Sequence, residues 1–178
     1  MKERPLLITP HEAKALAAGT LTQIRRPVDP QPPSNTVAIC KSMSWDEWRV
    51  EVSSDIPGLE WELHSRIKCP WSVGDRLWTR ETWAFGSTYG GEYPCVFYRA
   101  DNTGFIGSEN YPVRLVAAGG FGVTDGKPYA SAPANCRWQS PVTMPRWASR
   151  ATLIVADRRV EQNNDGIWLW VADVEVEK

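Results

Sequence analysis

The chain has 178 residues, with 20 basic and 21 acidic side chains and a formal net charge of −1. This length fits one domain, or one domain with a large insertion, and an apolar fraction of 42% is sufficient for a core. The balanced charge excludes a globally basic nucleic-acid-binding protein, so any basic site has to be local. The ten tryptophans are expected in the core or in the walls of a cleft.

The cysteines and the N-terminus indicate the cellular setting. The four cysteines form no Cys-x-x-Cys pair and only two histidines accompany them, which disfavours zinc, and no metal or cofactor is expected. The N-terminal residues lack the apolar run of a secretion signal, and no segment is long enough to span a bilayer. We therefore expect a reduced, cytoplasmic protein without a membrane partner.

A helix is predicted near the N-terminus, after a short apolar run. Thr9 is expected to cap it, Pro10 to occupy its first position and Glu12 to bond back to the cap. The apolar residues that follow, spaced at i, i+3 and i+4, form one face of the helix. Gly19 is expected to end it in the left-handed conformation.

The next segments are less regular. Residues 20–26 are predicted to form a strand that Pro27 ends, and a proline-rich connector follows. Residues 34–68 are interpreted as a surface excursion, in which tryptophans alternate with charged residues. Within it, Val50 and Val52 indicate a short strand.

Residues 69–83 contain the strand around which the rest of the chain is organised. Pro70 and the Gly74-Asp75 pair predict a turn just before it. Alternate residues from Leu77 to Trp83 share one face of this strand, and each face carries both apolar and charged side chains. We expect one edge in a core and one in a polar cleft; the alternative is a barrel strand whose charges face water.

The second half of the chain continues as short strands. A strand is predicted from Val96 towards Asp101, and residues 102–135 are expected to be a long loop with one strand near positions 113–116. Two prolines between residues 138 and 150 forbid a regular ladder there. A hairpin with its turn at Asn163–Gly166 is predicted to join the last two strands.

The order of these elements predicts a fold that is mainly β, of the α+β type, with one or two short helices. A small closed or nearly closed β-barrel with the N-terminal helix packed beside it fits best. Residues 1–178 are interpreted as a single domain, with residues 34–68 and 102–135 as insertions.

Five sequence blocks occur along the chain in a fixed order, and this combination is specific for one protein family. They are Met1–Pro5, Gly19–Arg26, Cys69–Trp83, Tyr98–Asp101 and Met144–Arg150. Together they resemble the bacteriophage and prophage branch of the ASCH-domain family. The resemblance implies a fold similar to the RNA-binding PUA domain, with a cleft beside the first helix, and a phage or prophage origin. The location would then be the cytoplasm of the host cell.

The resemblance also bears on catalysis. Some ASCH proteins hydrolyse the acyl amide of N4-acetylcytidine, using the Lys and Thr of a Gly-x-Lys-x-x-Thr-x-Arg motif and a later Glu. Here Leu21 stands at the Lys position and Ile24 at the Thr position, while Gly19 and Arg26 remain. The helical insertion that phage relatives often carry between the last two strands is also replaced by a short turn. Aliphatic side chains cannot activate a nucleophile, so a protein without this activity is expected, with Glu81 as the base if it is an enzyme.

The remaining residues suit binding of RNA or a modified nucleotide. Arginines fork onto phosphate or base edges, and aromatic rings stack on bases. The candidate binding residues are Arg25, Arg26, Arg80, Trp83, Tyr98, Arg99, Trp138, Arg146, Trp147 and Arg150. The alternatives are that the arginines pair with Glu81, Asp101 or Asp75 in a structural network, and that the aromatic residues lie in the core. Glu81 is expected to orient an arginine rather than to catalyse.

Three hypotheses about function follow. The first is a binding module whose basic, aromatic-lined cleft holds RNA or a modified nucleotide without turning it over. The second is an amidohydrolase or nuclease that acts on acylated pyrimidine nucleosides or RNA. The third is a phage factor that binds a host protein through the tryptophan-rich segment between residues 45 and 61.

Overall fold

The structure is a computed structural model that describes residues 2–42, 46–56, 59–88, 93–101, 103–106, 116–117 and 136–177. The chain forms two compact units. The first unit contains Thr22–Asp75 and Val155–Val174, and the second contains Lys2–Leu21, Arg76–Ile154 and the residues after Val174. Among the described residues, no helix has the length and apolar character of a membrane span.

The described elements are one α-helix, two short 3-10 helices and twelve strands, so the prediction of a mainly β, α+β chain is confirmed. In chain order they are β1 Glu3–Leu7, α1 Pro10–Ala17, β2 Gln23–Pro27, β3 Thr36–Lys41, β4 Trp48–Ser53, β5 Trp61–Ile67, β6 Arg76–Arg80, β7 Trp83–Thr88, β8 Tyr93–Tyr98, β9 Thr103–Ile106, β10 Val116–Ala117, the 3-10 helices Pro141–Thr143 and Arg146–Ala148, β11 Thr152–Gln162 and β12 Trp168–Val176. The strand orders in the three sheets are β1-β6-β11-β12-β2, β10-β9-β8-β7 and β3-β4-β5.

The predicted barrel is not formed by the described strands. Each of the three sheets ends on strands that have one neighbour, so none of them closes on itself. The strand expected to run unbroken to Trp83 stops at Arg80, and the chain enters a different sheet at Trp83. The alternation pattern alone predicts one continuous strand here, but the break at residues 81–82 separates β6 from β7.

In the first unit, the described part of residues 34–68 is more regular than an excursion. Strands β3, β4 and β5 form an antiparallel sheet, and Trp48, Val50 and Val52 on β4 are buried. The ring of Trp48 meets that of Trp170 edge to face, with the centroids 5.6 Å apart. These aromatic side chains therefore serve the core. Of the segment's other tryptophans, Trp45 lies outside the described residues and Trp61 is exposed.

The predicted C-terminal hairpin is confirmed. The Asn163 side-chain oxygen accepts hydrogen bonds from the backbone N–H groups of Asp165 and Ile167, and Gly166 adopts φ of +78°. In β12 the central residue Val171 is fully buried, and its neighbours on the other face, Trp170 and Ala172, are also buried. The middle of this strand is thus covered on both sides.

β2 lies beside β12, with Ile24 opposite Ala172. It begins at Gln23, three residues later than predicted, and it includes Pro27. A proline is tolerated there because β2 is an edge strand of its sheet.

In the second unit, the predicted capping box of α1 is confirmed. The Thr9 hydroxyl accepts from the Glu12 N–H at 3.2 Å, and the Glu12 carboxylate accepts from the Thr9 N–H at 2.8 Å. Gly19 follows the helix with φ of +70°. Ala13 and Leu16 are the buried residues of the helix.

The predicted alternation also holds across the break between β6 and β7. Leu77 and Thr79 are fully buried, and Glu81 and Trp83 are almost fully buried. The intervening residues, including Trp78 and Arg80, are half-buried. A carboxylate therefore lies on the buried side of this segment. The strand predicted at positions 113–116 and most of the loop at 102–135 lie outside the described residues.

Candidate ligand-binding pocket

A pocket of about 370 Å³ lies in the second unit, between α1, the β6–β7 connection and the turn after β8. Its described lining residues are Ile8, Pro10, Lys14, Glu81, Thr82, Arg99 and Ala100. The turn is joined to the connection by a backbone hydrogen bond of 3.0 Å from the Arg99 N–H to the Thr82 carbonyl. A pocket of this size suits a small organic ligand or one nucleotide unit.

Beside the pocket, Arg150 is bound to two carboxylates. Its Nε and Nη2 donate to the two oxygens of Glu81, each at 2.7 Å, and its Nη1 donates to Asp101 at 2.5 Å. The side chains of Arg150, Glu81 and Asp101 are 7%, 3% and 16% exposed. The guanidinium carbon lies 4.6 Å from the centroid of the Tyr98 ring, whose hydroxyl donates to the Ala148 carbonyl at 2.7 Å.

Burial and the neighbouring charges shift the pKa values of three groups in this cluster. Burial raises the pKa of Glu81, and the neighbouring Arg150 only partly offsets this. Burial disfavours the charged form of Arg150, but its two carboxylate partners outweigh burial and raise its pKa. Burial also raises the pKa of Tyr98 well above its ordinary value. Glu81 thus pairs with an arginine, as the structural-network alternative predicted.

Two cations at the pocket have no such partner among the described residues. Lys14 and Arg99 are exposed, and neither makes an ion pair with another residue in the part of the chain that the structure describes. Lys14 lies one turn after Pro10 on α1, away from the buried Ala13. The pocket therefore combines two positive charges that no described residue pairs with, the Thr82 hydroxyl and an apolar wall that includes Ile8.

The predicted aromatic residues do not line this pocket as far as it is described. Trp83 is buried and donates from its ring N–H to the Thr143 hydroxyl at 3.4 Å, and Trp147 packs edge to face against it. Tyr98 is fully buried under Arg150. Trp138 packs on a small cluster that contains Phe97. None of these rings is thus a described lining residue of this pocket, and burial of Trp83 and Tyr98 in the core is typical of large aromatic side chains.

The predicted arginines are distributed among several environments. Arg80 and Arg146 lie over the Trp78 ring, 5.3 and 5.9 Å from its centroid, and Arg146 also pairs with Glu3 at 2.8 Å. Among the predicted arginines, only Arg99 is a described lining residue of the pocket.

Arg25 and Arg26 belong to the first unit, on β2. Arg25 is exposed and pairs with Glu161 at 3.3 Å, and Arg26 donates to the Arg25 carbonyl at 2.7 Å. The aliphatic residues of the altered motif have packing roles, since Ile24 is fully buried and Leu21 nearly so.

Sequence reasoning missed Lys14 and Thr82. The ASCH motif directs attention to position 21 after the helix, whereas Lys14 reaches the pocket from the helix itself. A usable signal was present, because Lys14 lies on the solvent side of an amphipathic helix, four residues after Pro10.

Within the described residues, no group of three or more histidine, cysteine or acidic side chains is arranged to hold a metal ion. The thiols of Cys40, Cys69 and Cys136 are free. Comparisons with family models, with curated proteins and with solved structures find no match to this chain.

Proposed function

We propose that the chain binds a nucleotide, free or within RNA, in the pocket between α1 and the Glu81–Thr82 connection, without turning it over. The observation that carries this proposal is the pair of cations, Lys14 and Arg99, which have no ion-pair partner among the described residues. Such charges suit a phosphate group. The apolar side of the pocket suits a sugar or base, and the Thr82 hydroxyl suits a polar base edge.

The absence of turnover is inferred from the state of Glu81. Both of its carboxylate oxygens accept hydrogen bonds from Arg150, so its charge is already paired and the lone pairs that face the guanidinium are occupied. Leu21 and Ile24 supply no alternative group, because they are aliphatic and buried. The resemblance to the phage branch of the ASCH family remains a prediction, and it points to the same class of ligand.

Binding is tested by fluorescence anisotropy with a labelled single-stranded RNA over a range of salt concentrations. In the double variant Lys14→Gln, Arg99→Gln we expect weaker binding and a salt slope that is smaller by about 1.4, since each phosphate contact on a single strand contributes roughly 0.7. The charge-matched control is Arg25→Gln, Lys41→Gln, which removes two exposed cations of the first unit. Wild-type protein that does not bind, or equal losses in both variants, would refute the proposal.

An enzyme is the second candidate, and one observation favours it. A carboxylate, a lysine and a hydroxyl, from Glu81, Lys14 and Thr82, line the same pocket, and together they form a usable set for general acid–base chemistry. Incubation with N4-acylcytidines and with RNA, beside a Glu81→Gln variant, separates the two functions. Turnover by the wild type that is lost in Glu81→Gln would replace the binding proposal with this one.

A host-protein interaction through the tryptophan-rich segment has narrower support. Trp61 and Leu63 on β5 are 45% and 47% exposed, but Trp48 is buried in the first unit. A contact surface on this segment would therefore involve β5 rather than β4. Retention of a purified host protein that depends on Trp61 would favour this hypothesis.

A further inference from the structure

A second pocket of the second unit, about 460 Å³ in volume, is distinguished by three arginines among its described lining residues. Its described lining residues are Arg76, Arg146, Ser149, Arg150, Ala151, Thr152 and Glu177. Two of the lining side chains carry hydroxyls and one carries a carboxylate. Arginine and hydroxyl donors in one concave site are the groups that recognise oxyanions.

Arg76 has donors that its present partner does not use. Its Nη2 donates to the Glu177 carboxylate at 2.6 Å, but its buried Nε has no hydrogen-bond partner among the residues that the structure describes. The same edge of Arg150 donates through both Nε and Nη2 to Glu81. Glu177 therefore uses only one of the two donors on an Arg76 edge that is suited to two oxygens. The other donor, the buried Nε, is left without a described partner, which is energetically unfavourable.

Arg146 supplies a second guanidinium. Its Nε donates to Glu3 at 2.8 Å and its Nη2 to the Thr152 hydroxyl at 2.9 Å. No hydrogen bond from its Nη1 joins it to another residue that the structure describes. This donor is available to a ligand in the pocket without loss of either existing contact.

We propose that this second pocket binds a phosphate group, held by Arg76 and Arg146, and that the Glu177 carboxylate occupies part of the site until phosphate displaces it. A phosphate offers three acceptor oxygens, enough to engage both donors on the Arg76 edge and a donor of Arg146. The Glu177 side chain is 33% exposed, so on release it can turn into solvent. The proposal does not depend on the ligand of the first pocket.

Calorimetric titration of the full chain with inorganic phosphate, at low ionic strength, tests this site. Arg76→Gln should weaken phosphate binding by about tenfold, the effect of losing one charge-assisted fork. Glu177→Gln should strengthen it by roughly threefold to tenfold, because a competing charge of the same sign is removed. Arg25→Gln, an ion-paired arginine of the first unit, is the matched control and should leave the affinity unchanged.

The outcomes distinguish this proposal from the nucleotide site. The variant Lys14→Gln, Arg99→Gln should retain phosphate binding, whatever it does to RNA binding. Competition by a nucleoside monophosphate alone would identify a terminal phosphate as the ligand, and competition by an unphosphorylated dinucleotide would identify a phosphodiester. The proposal is overturned if the folded wild type binds no phosphate, or if Glu177→Gln weakens binding.

A further variant covers the case in which Arg76→Gln does not fold. Arg76→Lys keeps the charge but loses the fork, and it should bind phosphate severalfold more weakly than the wild type. Unchanged affinity in Arg76→Lys would count against recognition by the guanidinium edge.

Discussion

Arg150 meets Glu81 edge to edge, with both carboxylate oxygens bound by the same side of the guanidinium at 2.7 Å. The same arginine donates to Asp101 and, at 3.4 Å, to the Ala13 carbonyl of α1. It therefore touches the helix, the β6–β7 connection and the turn after β8, which are the three elements that line the first pocket. One side chain thus joins the three elements that line that pocket.

The first prediction concerns the stability that this pairing provides. Arg150→Met should lower the free energy of unfolding by about 3–5 kcal/mol, because it leaves two largely buried carboxylates without their cation. Urea denaturation measures the change. Arg25→Met is the control, and its exposed pair with Glu161 should contribute no more than about 1 kcal/mol. Similar losses in the two variants would contradict a structural role for the buried cluster.

The second prediction is a pH dependence with a defined sign. Because burial raises the pKa of Glu81, the folded protein holds this proton more tightly than the unfolded chain does. The stabilisation that comes from this tighter proton binding is complete below the pKa that Glu81 has in the unfolded chain. It is lost as the pH rises through the pKa that Glu81 has in the folded protein. The stability of the wild type relative to Glu81→Gln should therefore decrease with rising pH across this window.

Urea denaturation of both proteins at pH steps between about 4 and 7, which span the ordinary carboxyl pKa, measures this difference. The opposite tendency of Glu3, whose pKa is lowered by its hydrogen bond to Arg146, is present in both proteins and cancels. A difference that grows with rising pH would show that the attraction of Arg150 outweighs burial.

The third prediction separates two tryptophans that look alike in the sequence. Trp48→Ala should cost about 3–5 kcal/mol, because the ring is buried and packs against Trp170. Trp61→Ala should cost less than about 1 kcal/mol, because that ring is nearly half exposed. Thermal or chemical unfolding of both variants measures the two losses in stability. Comparable losses would show that Trp61 has a role in packing.

The fourth prediction tests the helix that forms one side of the first pocket. Thr9→Ala removes the side-chain half of the capping box and should cost about 1 kcal/mol. Thr22→Ala, at an exposed position before β2, is the control for loss of a threonine and should be nearly neutral. Equal effects on the free energy of unfolding would argue that the cap does not contribute to stability.

Local features of this protein were predictable from the sequence. The capping box at Thr9 and the turn at Asn163–Gly166 depend on residues within a few positions of one another, and both are formed as expected. The alternation from Leu77 to Trp83 correctly groups the residues that share a face, because successive residues of an extended chain face opposite sides, but it did not indicate which face is buried.

The placement of the candidate site depended on contacts between residues far apart in the chain. Arg150 and Glu81 are 69 positions apart, and no local pattern selects Glu81 over Asp75 as the partner. The sequence predicts that large rings lie in a core or in a cleft wall, but burial of Trp83 and Tyr98 follows only from how the second unit packs. Sequence alone thus determined the local capping and turn elements, whereas the pocket, the placement of Lys14 and Arg99 in it and the break at residues 81–82 were decided by tertiary packing, which joins groups that are far apart in the chain.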